Sequence, residues 1–217
     1  MPLFKRIKPN PHTSIVLWQI AESEGELMSE INLSKSDESR YHSFTKELKR
    51  KEFLAVRHSV KNIFGETRQL LYNSEGKPFL ENGPHISVSH TKGFAGVIVS
   101  SKQAVGIDLE LEREQIARIA PKFIRPAEEK SLHAKETLAH LTHYWGAKEC
   151  LVKITGNRKL DFIKQLHVQP FDLKHPQETT ALIQNNDKGP QQAQLFFDYL
   201  HPVYLTYGWE NTAAAIL

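Results

Sequence analysis

Cysteine is almost absent from this chain. Cys150 is the single one among 217 residues, so no disulfide forms within the chain, and a reducing compartment fits that composition. Long apolar runs are missing too. Nothing approaches the roughly 18 residues a membrane-spanning helix needs. The run in "TSIVLWQI" is too short for a secretory core, carries Gln19 and lacks a small-residue cleavage site, so it reads as a first strand. There is no strong excess of one charge. The formal net charge is +3 with eleven neutral histidines, far from the concentrated Lys/Arg footprint of a nucleic-acid binder. No phosphate-binding P-loop and no G-x-G-x-x-G occur, which leaves nucleotide hydrolysis and dinucleotide binding without support. No low-complexity tract or long linker interrupts the chain. These absences point to a soluble, cytoplasmic protein of one large domain or two small ones. The small positive surplus suits an acidic partner or a phosphate-bearing ligand.

What is present alternates between strand and helix patterns. Residues 36–64 read as one long helix that Gly65 ends, with an apolar stripe of Phe53, Val56, Val60 and Ile63. Lys46, Arg50, Arg57 and Lys61 form a second, basic stripe, either a solvated face or a set of ligand contacts. Arg57 is one turn from Phe53 and Val60, which predicts a half-buried stem. A turn at 73–76 precedes Lys77 and Pro78. "HISVSHT", "FAGVIVS" and "AVGIDLELE" read as an antiparallel meander. "REQIARIAPKFI" is a short helix, and Pro126 followed by acids starts another. "ETLAHLTHYWGAKECLVKITG" is the clearest helix and stops at Gly156. "LHVQPFDL", "TALIQ", "AQLFFDYLHPVYLTYGW" and "TAAAIL" read as strands, with a hairpin connection at 185–190. The second half roughly repeats the layout of the first.

The chemistry starts in "AVGIDLELE". Asp108, Glu110 and Glu112 share one strand face, with successive acids about 6.5–7 Å apart. A solvated edge strand tolerates such a row of like charges. So does a cation site, because Mg²⁺ takes oxygen ligands from one or two carboxylates plus substrate phosphates. Gly106 lies on the same face and would leave room for a ligand to approach. In "WGAKECLVK", Glu149 and Lys153 are four apart on a helix. They are either a surface ion pair or a third metal carboxylate and a phosphate-neutralising cation. Lys77 after a glycine turn, and Ser89 and His90 at a strand exit, are residue types that contact phosphate.

Taken in order, these pieces resemble the Sfp-type 4′-phosphopantetheinyl transferases. The matching residues are Gly76-Lys77-Pro78, Ser87-Val88-Ser89-His90, Val105-Gly106-Ile107-Asp108-Leu109-Glu110 and the run Trp145 to Lys153, which looks like that family's W-x-x-K-E-A/S-x-x-K signature. They cover about a third of the chain, from Gly76 to Lys153. The resemblance implies an α+β fold of two similar halves, 1–103 and 104–217, related by pseudo-twofold symmetry, with antiparallel sheets packed against long helices and coenzyme A in the cleft between them. It implies Mg²⁺ held by Asp108, Glu110 and Glu149, with Asp108, Glu149 and Lys153 as the catalytic set. It implies coenzyme A contacts from Lys77, Pro78, Ser89, His90 and Lys153, with Arg50 and Arg57 as further phosphate contacts. Upstream lysines that some members carry before the long helix are not evident here. Cys150 stands where Ala or Ser is usual and is expected to pack rather than react. The implied reaction moves the phosphopantetheine arm of coenzyme A to a serine of an apo acyl or peptidyl carrier protein and releases adenosine 3′,5′-bisphosphate. A monomer is implied, with no nucleic-acid or membrane partner.

Two other classes compete. A zinc enzyme could be seeded by His140 and His143, with His133 and Glu136 upstream, although no H-E-x-x-H occurs. A non-catalytic module could hold coenzyme A or a carrier protein without turnover; the intact set of Asp108, Glu110, Glu149 and Lys153 argues against it.

Overall fold

The computed structural model describes residues 3–173, 178–185 and 189–211. The chain divides into two compact units, Met1–Lys102 and Gln103–Leu217. Both combine helices with antiparallel sheet, so the fold is mixed α+β.

In the first unit, β1 (Leu3–Asn10), β2 (Thr13–Gln19), β5 (His85–Thr91) and β6 (Phe94–Ser100) form a sheet in the order β1-β2-β6-β5. Helices α1 (Glu24–Ser29), α2 (Lys35–Ser43) and α3 (Glu47–Phe64) follow β2, and α3 packs on β2 and β6. Trp18, Ala55, Val56, Val60, Val97 and Val99 form the core of that contact. The small pair β3 (Leu71–Tyr72) and β4 (Pro78–Phe79) sits beside β5.

The single helix expected over 36–64 is two helices. Phe44 is extended, at φ −84° and ψ 118°, and its ring lies 5.7 Å from that of Phe53. The carbonyls of Phe44 and Thr45 lose their helical partners at this break and accept from Arg50 Nη1 at 3.0 and 3.2 Å. Packing the part-buried Phe44 ring on Phe53 and recapping both carbonyls together compensate for the interrupted helix. β1 and α1 are not among the elements expected from the sequence. β1 is a basic edge strand with no buried residue, which gives no apolar alternation to read. α1 has only six residues, yet its start is legible: Ser23 and Glu26 form a capping box.

The second unit opens with β7 (Val105–Leu111), followed by α4 (Gln115–Ile119), a 3₁₀ turn at Ala120–Lys122, α5 (Pro126–Glu129) and α6 (Thr137–Thr155). Its sheet adds β8 (Leu166–Val168), β9 (Glu178–Asn185), β10 (Gly189–Leu200) and β11 (Val203–Glu210) in the order β7-β11-β10-β9-β8. β7 therefore leaves the expected meander: it pairs with β11, Asp108 opposite Thr206, and not with β6. The stretch read as one strand from Ala193 to Trp209 is the hairpin of β10 and β11. The expected terminal strand "TAAAIL" lies outside the described residues. Gly156 ends α6 in the left-handed conformation, at φ 75°. Among the described residues no helix is long and apolar enough to cross a membrane.

α6 packs on β7 and β11, and its buried side carries His143 into an aromatic nest with Phe197 and Tyr204. Burial pushes the His143 imidazole down from 6.5 to about 3. Between those two values the unfolded chain binds a proton that the folded chain refuses, so stability falls as pH drops through this window. Urea denaturation from pH 7 to pH 4 should show unfolding free energy decreasing by up to about 1.4 kcal/mol per pH unit from this group. His143→Asn should make that slope shallower, and an unchanged slope would refute the assignment.

Candidate active site

The site begins with how close α6 comes to β7. A Cβ on Gly106 would sit 2.3 Å from the Cys150 carbonyl oxygen and 2.8 Å from its Sγ, a distance that real side chains do not adopt. A Cβ on Gly146 would meet Thr206 Oγ1 at 2.7 Å and Asp108 Oδ2 at 3.5 Å. Glycine on the strand and glycine on the helix thus let the two backbones approach. Gly106 serves this packing, not the ligand approach expected from the sequence.

That approach decides what the acidic row faces. β7 is an edge strand, but the face carrying Gly106 and Asp108 is covered by α6, and Asp108 is only 6 % exposed. On α6, Gly146, Glu149, Cys150 and Lys153 recur at helical spacing along the side turned to β7. Lys153 Nζ donates to Asp108 Oδ1 at 2.7 Å and to the Ile107 carbonyl at 2.8 Å. Its ammonium therefore bridges to the strand, beyond the helix-surface pairing the i,i+4 spacing allowed. Glu110 is part-buried: its Oε1 accepts from Trp145 Nε1 at 3.1 Å and its Oε2 from Arg113 Nη2 at 2.6 Å. Glu112, the outermost acid, accepts from the Tyr204 hydroxyl. Beside Glu110, a cavity of about 110 Å³ is walled by Leu111, Arg113, Ile116, Thr142 and Trp145.

Electrostatics tie the three acids together. The Glu110 carboxyl is pushed up chiefly by burial and next by the charge of Asp108. Glu149 is pushed up by the same two causes in the same order, with Lys153 and Arg158 opposing. The charge of one aspartate thus acts on both glutamates. Among the described residues no three His, Cys, Asp or Glu side chains already stand as a metal shell. Asp108 is turned to Lys153, and Glu110 to Arg113 and Trp145.

Several neighbours are structural. Lys148, inside the W-x-x-K-E run, is fully buried; its Nζ donates to Glu128 Oε1 and the Leu166 carbonyl, both at 2.6 Å. Glu128 in turn accepts from the Val168 and Arg125 amides, locking α5, α6 and β8 together. Burial at α6 pushes the Cys150 thiol far up, which makes it inert. His140 stacks on Tyr144 and meets Phe171 edge-on, and with His143 it fills aromatic core, so the zinc arrangement finds no support here.

In the first unit, a turn with Gly76 at φ 75° sets Lys77 at the mouth of β4, its amide bonded to Asn73 Oδ1 at 2.8 Å. β4 lies against β5, where Ser89 is buried and His90 exposed. His90 Nδ1 is 3.2 Å from Glu52 Oε2. Arg50 grips Glu24 through Nε and Nη2 at 2.7 and 3.0 Å. Arg57 is 2 % exposed, so the expected half-buried stem is instead a buried ion pair with Asp37 at 2.5 Å, its guanidinium 3.5 Å from the Phe53 ring centre. A phosphate reaching either arginine would have to displace these partners. Arg113, Trp145, Lys148, Lys49 and Glu52 have no role assigned from the sequence; Trp145 and Lys148 hold signature positions and Arg113 lies three residues after Glu110, whereas Lys49 and Glu52 carry no sequence signal.

The chain is similar to a known family of proteins. The 4′-phosphopantetheinyl transferase superfamily model matches residues 104–214. The 4′-phosphopantetheinyl transferase HetI of Nostoc sp. is 30 % identical over 161 residues, 65 % of this chain and 68 % of that protein. The 4′-phosphopantetheinyl transferase gsp of Aneurinibacillus migulanus is 27 % identical over 73 % of this chain and 66 % of its own length. A 4′-phosphopantetheinyl transferase of Bacillus subtilis is 33 % identical over 86 residues, 37 % of this chain and 38 % of that protein.

Gly106→Ala should force α6 away from β7, because the clash is with backbone. We expect a stability loss of about 1–3 kcal/mol in chemical denaturation, together with lost transfer activity. A variant as stable and active as the wild type would contradict the close approach.

Proposed function

The chain belongs to the 4′-phosphopantetheinyl transferase superfamily and is a transferase of that class, and from this premise we propose that it uses coenzyme A as donor and a serine of an apo carrier protein as acceptor, in a Mg²⁺-dependent reaction. The observation that carries the proposal is the Lys153–Asp108 ion pair where α6 meets β7, with Glu110 and Glu149 both within the electrostatic reach of Asp108.

The donor set fits a hard divalent cation. Three carboxylates in one field, two of them pushed up partly by the third, gain from a cation between them, and their oxygens are the ligands Mg²⁺ takes. Asp108, Glu110 and Glu149 are the residues that would hold it. When bound, the ion would neutralise pyrophosphate charge as it develops in the transition state.

The remaining work falls to the chain. The serine oxygen attacks the β-phosphorus of coenzyme A; a new P–O bond forms and the bond to the bridging oxygen breaks. The electron pair leaves with adenosine 3′,5′-bisphosphate. Glu149, directly or through water, takes the serine proton. Burial, and next the charge of Asp108, push its carboxyl up, which raises its affinity for that proton. Lys153, held by Asp108 and the Ile107 carbonyl, presents a fixed cation to the reacting phosphates. Lys77, Pro78, Ser89 and His90 contact the 3′-phosphate and adenosine. Arg50 and Arg57 hold the α1–α2–α3 framework through Glu24 and Asp37. Carrier proteins with acidic helices suit a chain of net charge +3.

Incubation with coenzyme A, Mg²⁺ and an apo carrier protein, read by mass spectrometry, should show the carrier gaining one phosphopantetheine group. Asp108→Ala and Glu149→Ala should each reduce transfer at least a hundredfold, on the scale of losing a transition-state contact, while circular dichroism stays unchanged. Full activity in either variant, with Mg²⁺ still required by the wild type, would overturn the assignment, and a carrier that gains no mass would favour a non-catalytic binding module.

A further inference from the structure

The turn between β4 and β5 makes two demands that the chain meets with one dipeptide. β4 ends at Phe79 and β5 begins at His85, and residues 80–84 link them. Asn82 stands in this turn at φ 49°, and among the described residues it is the one other than glycine at positive φ. Asparagine tolerates that left-handed conformation better than most side chains do. The next residue folds back onto Leu80. Gly83 N donates to the Leu80 carbonyl at 3.1 Å, and a Cβ on Gly83 would lie 2.5 Å from Leu80 Cβ. Position 82 therefore favours asparagine, and position 83 requires glycine.

No other Asn-Gly step occurs in the sequence. Its chemistry follows from what glycine lacks. With no Cβ, nothing shields the Gly83 nitrogen from the side-chain carbonyl carbon of the residue before it. Both residues are exposed, so water reaches them. Several other asparagines are held in place: Oδ1 of Asn10, Asn73 and Asn157 accepts from a nearby backbone amide, and that of Asn62 from Arg6. No such bond holds Asn82 among the described residues.

We propose that Asn82 is a self-modification site, at which the side-chain amide is lost and the main chain is rerouted through the side-chain carbonyl. The Gly83 nitrogen attacks Asn82 Cγ and a C–N bond forms. The bond from Cγ to the side-chain nitrogen breaks. The proton of the Gly83 amide passes through solvent to the departing nitrogen, which leaves as ammonia. Water then opens the cyclic imide at either carbonyl, giving aspartate or isoaspartate, and no other reactant is consumed. The Gly83–Leu80 bond has to open first, so opening of the turn sets the pace. Isoaspartate adds one carbon to the main chain of the turn, and both products add a negative charge. β4 lies against β5, an edge strand whose one sheet partner is β6. On the coenzyme A reading above, on which this consequence rests, these strands carry Lys77, Pro78, Ser89 and His90. A modified chain therefore binds its anionic donor less well.

The test ages the full chain at mildly alkaline pH and follows it by peptide mapping with tandem mass spectrometry. Residue 82 should become a mixture of aspartate and isoaspartate while Asn10, Asn62, Asn73 and Asn157 stay amides. KM for coenzyme A should rise about tenfold in the converted protein, the scale of one lost charge-assisted hydrogen bond, with kcat unchanged. Asn82→Gly keeps the left-handed turn without an amide to lose, and its KM should not drift with age. An amide still intact at residue 82, once a synthetic peptide of residues 79–85 has converted, overturns the site. Conversion that leaves KM unmoved, or an equal drift in Asn82→Gly, overturns the link to donor binding. If fresh wild type transfers nothing from coenzyme A, that reading fails, and the mass at residue 82 still decides the modification.

Discussion

The second unit depends on how near two backbones come. α6 lies on β7 and β11 at a distance that a methyl group on Gly106 or Gly146 would forbid. Because α6 is that close, the strand face carrying Asp108 faces the helix, Lys153 pairs with it, and the charge of Asp108 is felt at Glu149. A helix one side chain further away would leave the acidic row to solvent, where its charges would be screened and unremarked. The packing that builds the core and the juxtaposition that builds the site are therefore one event.

The surrounding contacts hold that geometry against its own electrostatic cost. Three carboxylates sharing a part-buried space repel one another, and burial raises the cost further. Lys153 on Asp108, and Arg113 and Trp145 on Glu110, offset the repulsion within the chain. Behind α6, the buried Lys148–Glu128 pair and its backbone acceptors fix the rotation of the helix. Removing one partner of such a pair leaves a buried charge uncompensated, which costs more than the pair itself contributes. Lys148 and Glu149 are adjacent in sequence but differ in surroundings, one fully buried on Glu128 and the other part-buried.

Much of this was legible before the structure. The alternation in Val105–Leu111 and the helical spacing from Trp145 to Lys153 are strong local signals, and Gly156 and Pro126 mark helix ends through conformations that other residues rarely take. What stayed hidden was non-local. Nothing within β7 tells that it pairs with β11, almost a hundred residues downstream by the register of Asp108 with Thr206. Gly106 looked like space for a ligand because its neighbour, the Cys150 carbonyl, lies on another element. Arg57 looked half exposed because Asp37 sits across a helix break that the continuous polar pattern at 36–64 concealed. Glu52 carried no signal in the sequence because its contact with His90 of β5 is non-local.

The central claim is that Asp108, Glu110 and Glu149 act on one cation because α6 packs against β7. Isothermal titration of Mn²⁺, with electron paramagnetic resonance to count bound ions, tests it in the absence of any reaction. The account predicts one site per chain, with Asp108→Asn, Glu110→Gln and Glu149→Gln each weakening that same site. Affinity left intact by Glu149→Gln, or loss of separate sites by separate variants, would contradict it.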